Sequence, residues 1–455
     1  MSEVTASRSS TSRSGAPPDS NAARSSGVGV VVICPHFAPD TAPTGTVMTR
    51  IVEELVGLGH RVHVVTALPW YRSHAIEPGW GGRWIRREAT DWGSITRVHP
   101  FPGDSRTNLV RRAIGFVGYS LLAGFEALRI GGWFRRADVV IAMSPPLTLG
   151  VTGWMVASAR RAPLVFNVQD VFPDAAIETG AITNRTIIAA ARRLERLTYR
   201  LADGVTVLST DLADNVRAKL PSGLAGRVHE IPNFVDTDEI RPGDRATRYR
   251  SELGVGDGPV VLYGGNVGFS QSLDLMIAAA RARPDVTFLI NGNGAARASL
   301  EEAASDLGNV IFRGYIAAER LSELLATGDV HVVPLKSGLA RVSVPSKTYS
   351  ILAAGRPVVA AIDPGTAVPR ILEESGAGLA VDPDDVEAFV DALSRLIDDP
   401  DRAAAMGDAG RRWAVANASP VAVGQAYSDL IASLSGRRRR RWTRRGRTHN
   451  AVHDR

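Results

Sequence analysis

Residues 343–360 read SVPSKTYSILAAGRPVVA, with Pro345, Ser346 and Lys347 at the point where a helical stretch begins. A serine at a helix start offers a hydroxyl cap, and the open N–H groups of a first turn favour an anion. A lysine in that turn opposes the helix dipole unless negative charge lies opposite it. Arg341, a few residues earlier, can reach the same space. Together these residue types suggest phosphate binding; the alternative is a surface lysine and arginine with no ligand. The helix then stops at Gly355-Arg356-Pro357, and an apolar strand follows.

Other chemistries find less support. A dinucleotide site needs Gly-x-Gly-x-x-Gly directly after a strand, whereas the loop after the first apolar run, PHFAPDTAPTGTVMTR, holds only Gly45. GGNVG at 264–268 and GNG at 292–294 miss that spacing, and no P-loop pattern occurs. Asp236 and Asp238 invite a metal reading, but they fall in a polar linker, so neither metal nor cofactor is expected. The single cysteine, Cys34, rules out a disulfide framework and fits a reducing cytoplasm.

Positioning such residues takes a scaffold, and the chain spells one out. Short Val/Ile-rich runs at 28–34, 61–66, 138–143, 164–168, 204–208 and 228–231 alternate with helix-length segments. A second series follows at 260–263, 286–290, 310–312, 330–333, 358–361 and 378–381. Runs with little alternation are expected of parallel strands covered on both faces. Helices are expected at 46–58, ended by Gly59, and at 211–220, capped by Ser209 or Thr210, with two more at 401–414 and 420–434. The expected fold class is therefore α/β, with two Rossmann-like doubly wound parallel-sheet domains facing a cleft. The expected divisions are a disordered segment 1–27, domains at 28–235 and 236–415, a returning helix at 416–436 and a basic disordered tail at 437–455.

The net charge of +6 is unevenly placed. The tail holds nine arginines against one aspartate, a net +8 that leaves the other 436 residues at −2. A near-neutral body argues against nucleic acid as a partner. The tail suits anionic lipid head groups or simply solvent. Segment 113–134, flanked by arginine pairs, has an uncharged run of only 13 residues before Glu126 and Arg129. That is short of the ~20 needed to span a bilayer, so it reads as a buried helix or one lying in a membrane interface.

IPNFVD at 231–236 resembles the Ile-Pro-Asn-x-Val-Asp run of family 4 retaining glycosyltransferases, which have the two-Rossmann GT-B fold. PTGTVMTRIVEELVGLGHRVHVVT, NVQDVFPDAAIETGAI, LYGGNVGFSQSLD and VPSKTYSILAAGRPVVA are similar to the same family in the same order. The last three are most similar to its bacterial surface-polysaccharide subgroup, including colanic-acid-type and aminodeoxysugar transferases. The resemblance covers roughly residues 28–434. It implies metal-independent transfer of a sugar, with retention, from a nucleotide-sugar (a UDP-sugar is expected) to a lipid-linked or glycan acceptor. The donor would lie on the C-terminal domain and the acceptor on the N-terminal one. The enzyme would be cytoplasmic and peripheral on the inner face of the plasma membrane.

The same resemblance distributes the site. Ser346, Lys347 and Arg341 would hold the donor diphosphate, with Gly265 and Asn266 giving backbone and amide contacts. Asn266 and Gln271 stand where relatives carry Arg and Lys. Val342 and Ser350 stand where relatives carry a glutamate pair, the second of which, at Ser350, binds ribose. Gly314 and Tyr315 would face the base. Gln169 and Asp170 occupy the place of a His near an acid, Asp170 orienting the acceptor hydroxyl or stabilising positive charge at the anomeric carbon. Asp174 and His36 would lie on the acceptor side, and Gly45 would let backbone approach the donor or acceptor. A nucleotide-sugar 2-epimerase of the same fold and a non-catalytic nucleotide-sugar scaffold are the alternatives.

Overall fold

The computed structural model describes residues 27–72, 74–102, 109–130, 137–174, 177, 182–339 and 345–450. Arg341 and Val342 lie outside them. Two sheets organise the chain. The first contains β1 (Gly29–Ile33), β2 (Arg61–Ala67), β3 (Ile85–Thr90), β4 (Gly93–Val98), β5 (Val139–Ser144), β6 (Leu164–Val168), β7 (Gly204–Val207) and β8 (Val228–Glu230). Their order is β3-β4-β2-β1-β5-β6-β7-β8, parallel except for β3 against β4. The second contains β9 (Val260–Gly264), β10 (Thr287–Asn291), β11 (Val310–Arg313), β12 (Val330–Pro334), β13 (Val358–Ala361) and β14 (Gly378–Val381), all parallel, in the order β11-β10-β9-β12-β13-β14.

Every apolar run named from the sequence is a strand, because a Val/Ile run that packs helices on both faces is stable only as a buried parallel strand. In β5 all six residues are buried, and in β6 all five. The β3–β4 hairpin was not anticipated. IRREAT buries none of its residues fully and half of them are charged, so it carries no apolar signal. It is held instead by pairing and by Arg87, whose Nε and Nη2 both donate to the buried Glu126 carboxylate at 2.9 and 2.6 Å.

In each sheet the strand order reverses once, between β1 and β5 and between β9 and β12. Loops leaving those strands open a crevice at the carboxyl edge, where open α/β sheets bind ligands. The first contains Pro35-His36 and Pro145-Pro146; the second contains Gly265-Asn266 and leads into Lys347. The helix Pro43–Gly57 ends with Gly59 at φ +86°, and Ser209 Oγ caps the helix Thr210–Ala218 by accepting from Leu212 N.

The last helix, Pro420–Asn450, crosses back and packs Val423, Tyr427, Ile431 and Leu434 into the core beneath β1 and β5. Segment 437–455, expected as a disordered tail, continues that helix as far as Asn450. Arginine is a good helix former, and no proline interrupts the run. Segment 113–134 also differs from the wholly buried alternative. The helix Leu109–Arg129 buries Tyr119, Ala123 and Ala127 but leaves its other face in solvent. No helix is long and apolar enough to cross a membrane among the described residues.

Candidate active site

On the second sheet, β9 runs directly into Gly265, whose φ of +139° is a conformation that side chains rarely adopt. The loop is pinned by Gly265 N donating to Asn291 O at 2.9 Å and Val267 N to Asn293 O at 3.0 Å. Gly292 must be glycine, because a Cβ there would meet the Gly265 carbonyl oxygen at 1.7 Å. Beneath this loop Tyr263 donates its hydroxyl to Asn266 O at 2.5 Å and presents its ring to Lys347, with Nζ 4.0 Å from the ring centroid. A Cβ on Gly265 would lie 3.4 Å from the same Nζ. Sequence reasoning paired Lys347 with Gly265 only through the resemblance; the structure brings them together physically.

Lys347 is buried enough that desolvation pushes its ammonium pKa down to about 8. No carboxylate pairs with it among the described residues. A desolvated cation next to an open glycine backbone, stabilised only by an aromatic face, is poised for an anion. The expected Ser346 hydroxyl cap does not form. Ser346 adopts helical φ and ψ, so its side chain cannot turn back onto the first N–H groups. The turn closes through Thr348 N to Pro345 O at 3.0 Å and Tyr349 N to Ser346 O at 3.2 Å. The helix Lys347–Ala353 is two turns long and ends at Gly355, φ +67°.

Gln271, in the place of a clamp lysine, folds back so that its Oε1 accepts from Gly268 N at 3.1 Å. Asn266 stays exposed on the loop, and Ser350 sits half-buried one turn beyond Lys347. Gly314 and Tyr315 follow β11. Tyr315 is 61% exposed and is held upright by its hydroxyl on Asn293 O at 3.1 Å. Arg341 lies outside the described residues.

The first sheet's crevice is a cavity of about 590 Å³. His36, Trp70, Tyr71, Phe101, Phe116 and Asp170 are among its walls. His36 stacks on Trp70 with centroids 5.7 Å apart, and its Nδ1 lies 2.7 Å from Asp40 Oδ2. Asp170 keeps part of its surface in solvent, yet desolvation at the cavity wall raises its carboxyl above the ordinary carboxylate range. The aromatic wall was not anticipated. Trp70 and Tyr71 follow β2, so the rule that ligand residues come just after strands would have found them.

Three expected site residues have other duties. Gln169 is buried, donating from Nε2 to Asn167 Oδ1 at 2.9 Å and accepting at Oε1 from Asn233 at 3.1 Å. Asn167 in turn donates to Tyr427 Oη at 2.5 Å, so an amide chain links the returning helix, β6 and the linker. One hydrogen bond at each end of its amide ties Gln169 into this chain. Gln169→Ala should therefore cost about 1–3 kcal/mol through unsatisfied partners and lower the melting temperature, while kcat of the folded fraction stays within about threefold; a calorimetric scan beside an activity assay checks it. Asp174 is tied to Lys219 at 2.6 Å, which also grips the buried Glu195 at 2.5 Å, so it helps anchor helices. At Gly45 a Cβ would sit 2.9 Å from His36 Cβ, so its smallness serves packing of its own loop. Asp236 accepts at Oδ1 from Asp238 N and Glu239 N, a linker turn.

A contact between the domains was not legible in the sequence at all. Asp211 on the first domain accepts from Ala367 N at 2.8 Å and pairs with Arg370 at 2.7 Å, capping a helix of the second domain.

Two domain families match: "Glycosyl transferase 4-like domain" over residues 44–233 and "Glycosyl transferases group 1" over residues 258–399. The chain belongs to this family of GT-B glycosyltransferases. It is similar to the colanic acid biosynthesis glycosyl transferase WcaI of Escherichia coli, 27% identical over 80% of this chain and 90% of that protein. It is 34% identical to a Mycolicibacterium smegmatis protein named GDP-mannose-dependent alpha-(1-6)-phosphatidylinositol monomannoside mannosyltransferase, over 56% of this chain and 68% of that one. Anabaena Alr3699/HepE, solved in complex with UDP, shares the fold with a TM-score of 0.62 over 90% of this chain and 100% of that one, at 16% identity. The domain match supports a glycosyltransferase.

Proposed function

We propose that the protein transfers a sugar, with retention and without a metal, from a nucleoside-diphosphate sugar to a lipid-linked or glycan acceptor of surface glycan synthesis. The observation that carries this reading is Lys347, a desolvated ammonium lying against Tyr263 and Gly265 with no described carboxylate to neutralise it. A diphosphate in that place would supply two negative charges and accept from the loop N–H groups. Gly314 and Tyr315 would border the base, and Asn266, Ser346 and Ser350 the phosphates and ribose; Arg341 would add charge.

The acceptor would enter the aromatic cavity with its hydroxyl near Asp170. In a same-face reaction the donor's glycosidic C–O bond breaks as the acceptor oxygen bonds to the anomeric carbon. The hydroxyl proton passes to the departing phosphate. Asp170 would orient that hydroxyl or offset positive charge at the anomeric carbon. His36, stacked on Trp70 and tied to Asp40, would shape the acceptor side.

A UDP-sugar is the expected donor, and the mannosyltransferase relative favours GDP-mannose as the second reading. Thermal-shift screening of UDP- and GDP-sugars in EDTA distinguishes them, because a donor held only by the folded state raises the melting temperature. Stabilisation by one nucleotide class, followed by an α-linked product in NMR, is the expected outcome. Loss of all donor response in EDTA, or an inverted product, would refute the mechanism.

A further inference from the structure

The cavity on the first sheet has two kinds of wall. Trp70, Tyr71, Phe101 and Phe116 give it aromatic faces, and His36, His74, Thr44 and Asp170 give it polar ones. No lysine or arginine lines it among the described residues. The start of the helix Pro43–Gly57 reaches the wall, but its first residue is a proline, with no N–H to offer an anion. His36 is held from behind. Asp40 is buried, and its carboxylate accepts from His36 Nδ1 at 2.7 Å and from Tyr71 N at 3.3 Å. The imidazole stacks on Trp70 with centroids 5.7 Å apart and meets Tyr71 edge-on at 5.5 Å. Because a carboxylate only accepts, the proton of the neutral ring sits on Nδ1. Nε2 then keeps its lone pair, and it has no hydrogen-bond partner among the described residues.

We propose that the acceptor group entering this cavity is a pyranose, with one hydroxyl donating to His36 Nε2 and the ring lying against the aromatic wall, and that Asp40 positions His36 for it. The proposal rests on the reading of this cavity as the acceptor site and names the class of acceptor. Chemistry decides for a sugar over a lipid phosphate. A hydroxyl donates, and both His36 Nε2 and the Asp170 carboxylate accept. An ionised phosphate only accepts, so it would be desolvated against two acceptors with no described cation to offset its charge. A six-membered sugar ring also presents an apolar C–H face, which suits a wall of aromatic rings carrying a few placed polar groups. A second hydroxyl of the same ring, near Asp170, is then the one that reacts. On this account the protein lengthens a glycan already begun. An earlier glycosyl transfer must place the first sugar on its carrier.

The test reads binding of small probes to the full chain, without donor, by saturation-transfer NMR. Methyl pyranosides of glucose, galactose, mannose and N-acetylglucosamine are compared with farnesyl phosphate, a soluble lipid phosphate. At least one pyranoside should bind with a Kd of roughly 1–30 mM, and farnesyl phosphate should not displace it. His36→Phe keeps a ring in the stack and removes the lone pair, so that Kd should rise at least ~10-fold. Asp40→Asn should also weaken binding, because an amide can donate to Nδ1 and move the ring proton to Nε2. Nitrogen-15 shifts of the His36 ring read this directly, with the proton on Nδ1 in the wild type at pH 8 and on Nε2 in the variant. Both variants should keep the donor-induced rise in melting temperature, since the donor site lies on the other sheet. Absence of that rise in the wild type would count against the transferase reading and leave the pyranoside result standing. The proposal is overturned if farnesyl phosphate displaces the pyranosides, if none of them binds at about 100 mM, or if wild type and His36→Phe bind them equally. A wild-type ring with its proton on Nε2 would overturn it as well.

Discussion

Replacing Lys347 with Met is expected to raise the melting temperature of the unliganded protein and strongly weaken its response to donor. The two effects have one cause. In the unfolded chain a lysine titrates near its ordinary value, about 10.4, while in the fold burial lowers the ammonium to about 8. The folded state therefore binds fewer protons between these values, and stability rises with pH across that window. At pH 7 the folded protein carries the whole desolvation penalty, which Met, of similar length and without charge, removes. A gain of roughly 1–3 kcal/mol is expected after discounting for partial exposure, read as a higher midpoint in denaturant. The opposite sign is expected for donor binding. Losing a charge-assisted contact to a diphosphate costs roughly 2–4 kcal/mol, so Kd should rise about 30- to 1,000-fold. A variant less stable than wild type with unchanged donor affinity would mean that Lys347 is an ordinary packing residue.

Asp170→Asn carries the second large effect. The change keeps the shape and one acceptor oxygen but removes the charge, so donor affinity should be unaffected while kcat falls roughly 10²- to 10⁴-fold. The sign of the pH dependence follows from the raised carboxyl pKa. Asp170 acts as the ionised form, so wild-type kcat should climb as pH rises through a value above the ordinary carboxylate range. In the variant that limb should disappear. Steady-state rates between pH 4 and 9 show whether it does, and a variant with wild-type kcat would remove Asp170 from the reaction.

How far sequence alone reaches differs between fold and site. Strand positions such as 164–168 and 358–361 were legible to the residue, because a strand buried on both faces has to be a continuous apolar run. The β3–β4 hairpin was not, since IRREAT is held by pairing and by the Arg87–Glu126 contact, neither of which leaves a local pattern. At the site, Lys347 was legible from its place in a first turn that disfavours lysine. Tyr263, the ring that it rests on, comes from another strand 84 residues away and could be found only in three dimensions. Gln169 and Asp174 look like cleft residues in sequence because they end a strand. Their partners, Asn233 and Lys219, come from distant segments and draw both side chains into the framework. The Asp211–Arg370 contact across the domains is hidden for the same reason.

Proton uptake on nucleotide binding tests the central claim most directly. Isothermal titration of the nucleoside diphosphate at pH 8, repeated in buffers of different ionisation enthalpy, counts protons exchanged per ligand bound. A lysine that is half protonated when free and fully protonated against a diphosphate should take up roughly 0.4–0.5 proton at that pH. Uptake should fade at pH 6.5 and be absent at pH 8 in Lys347→Arg, whose side chain is charged throughout. Binding without proton uptake, or with the same uptake in Lys347→Arg, would show that the donor diphosphate does not rest on Lys347.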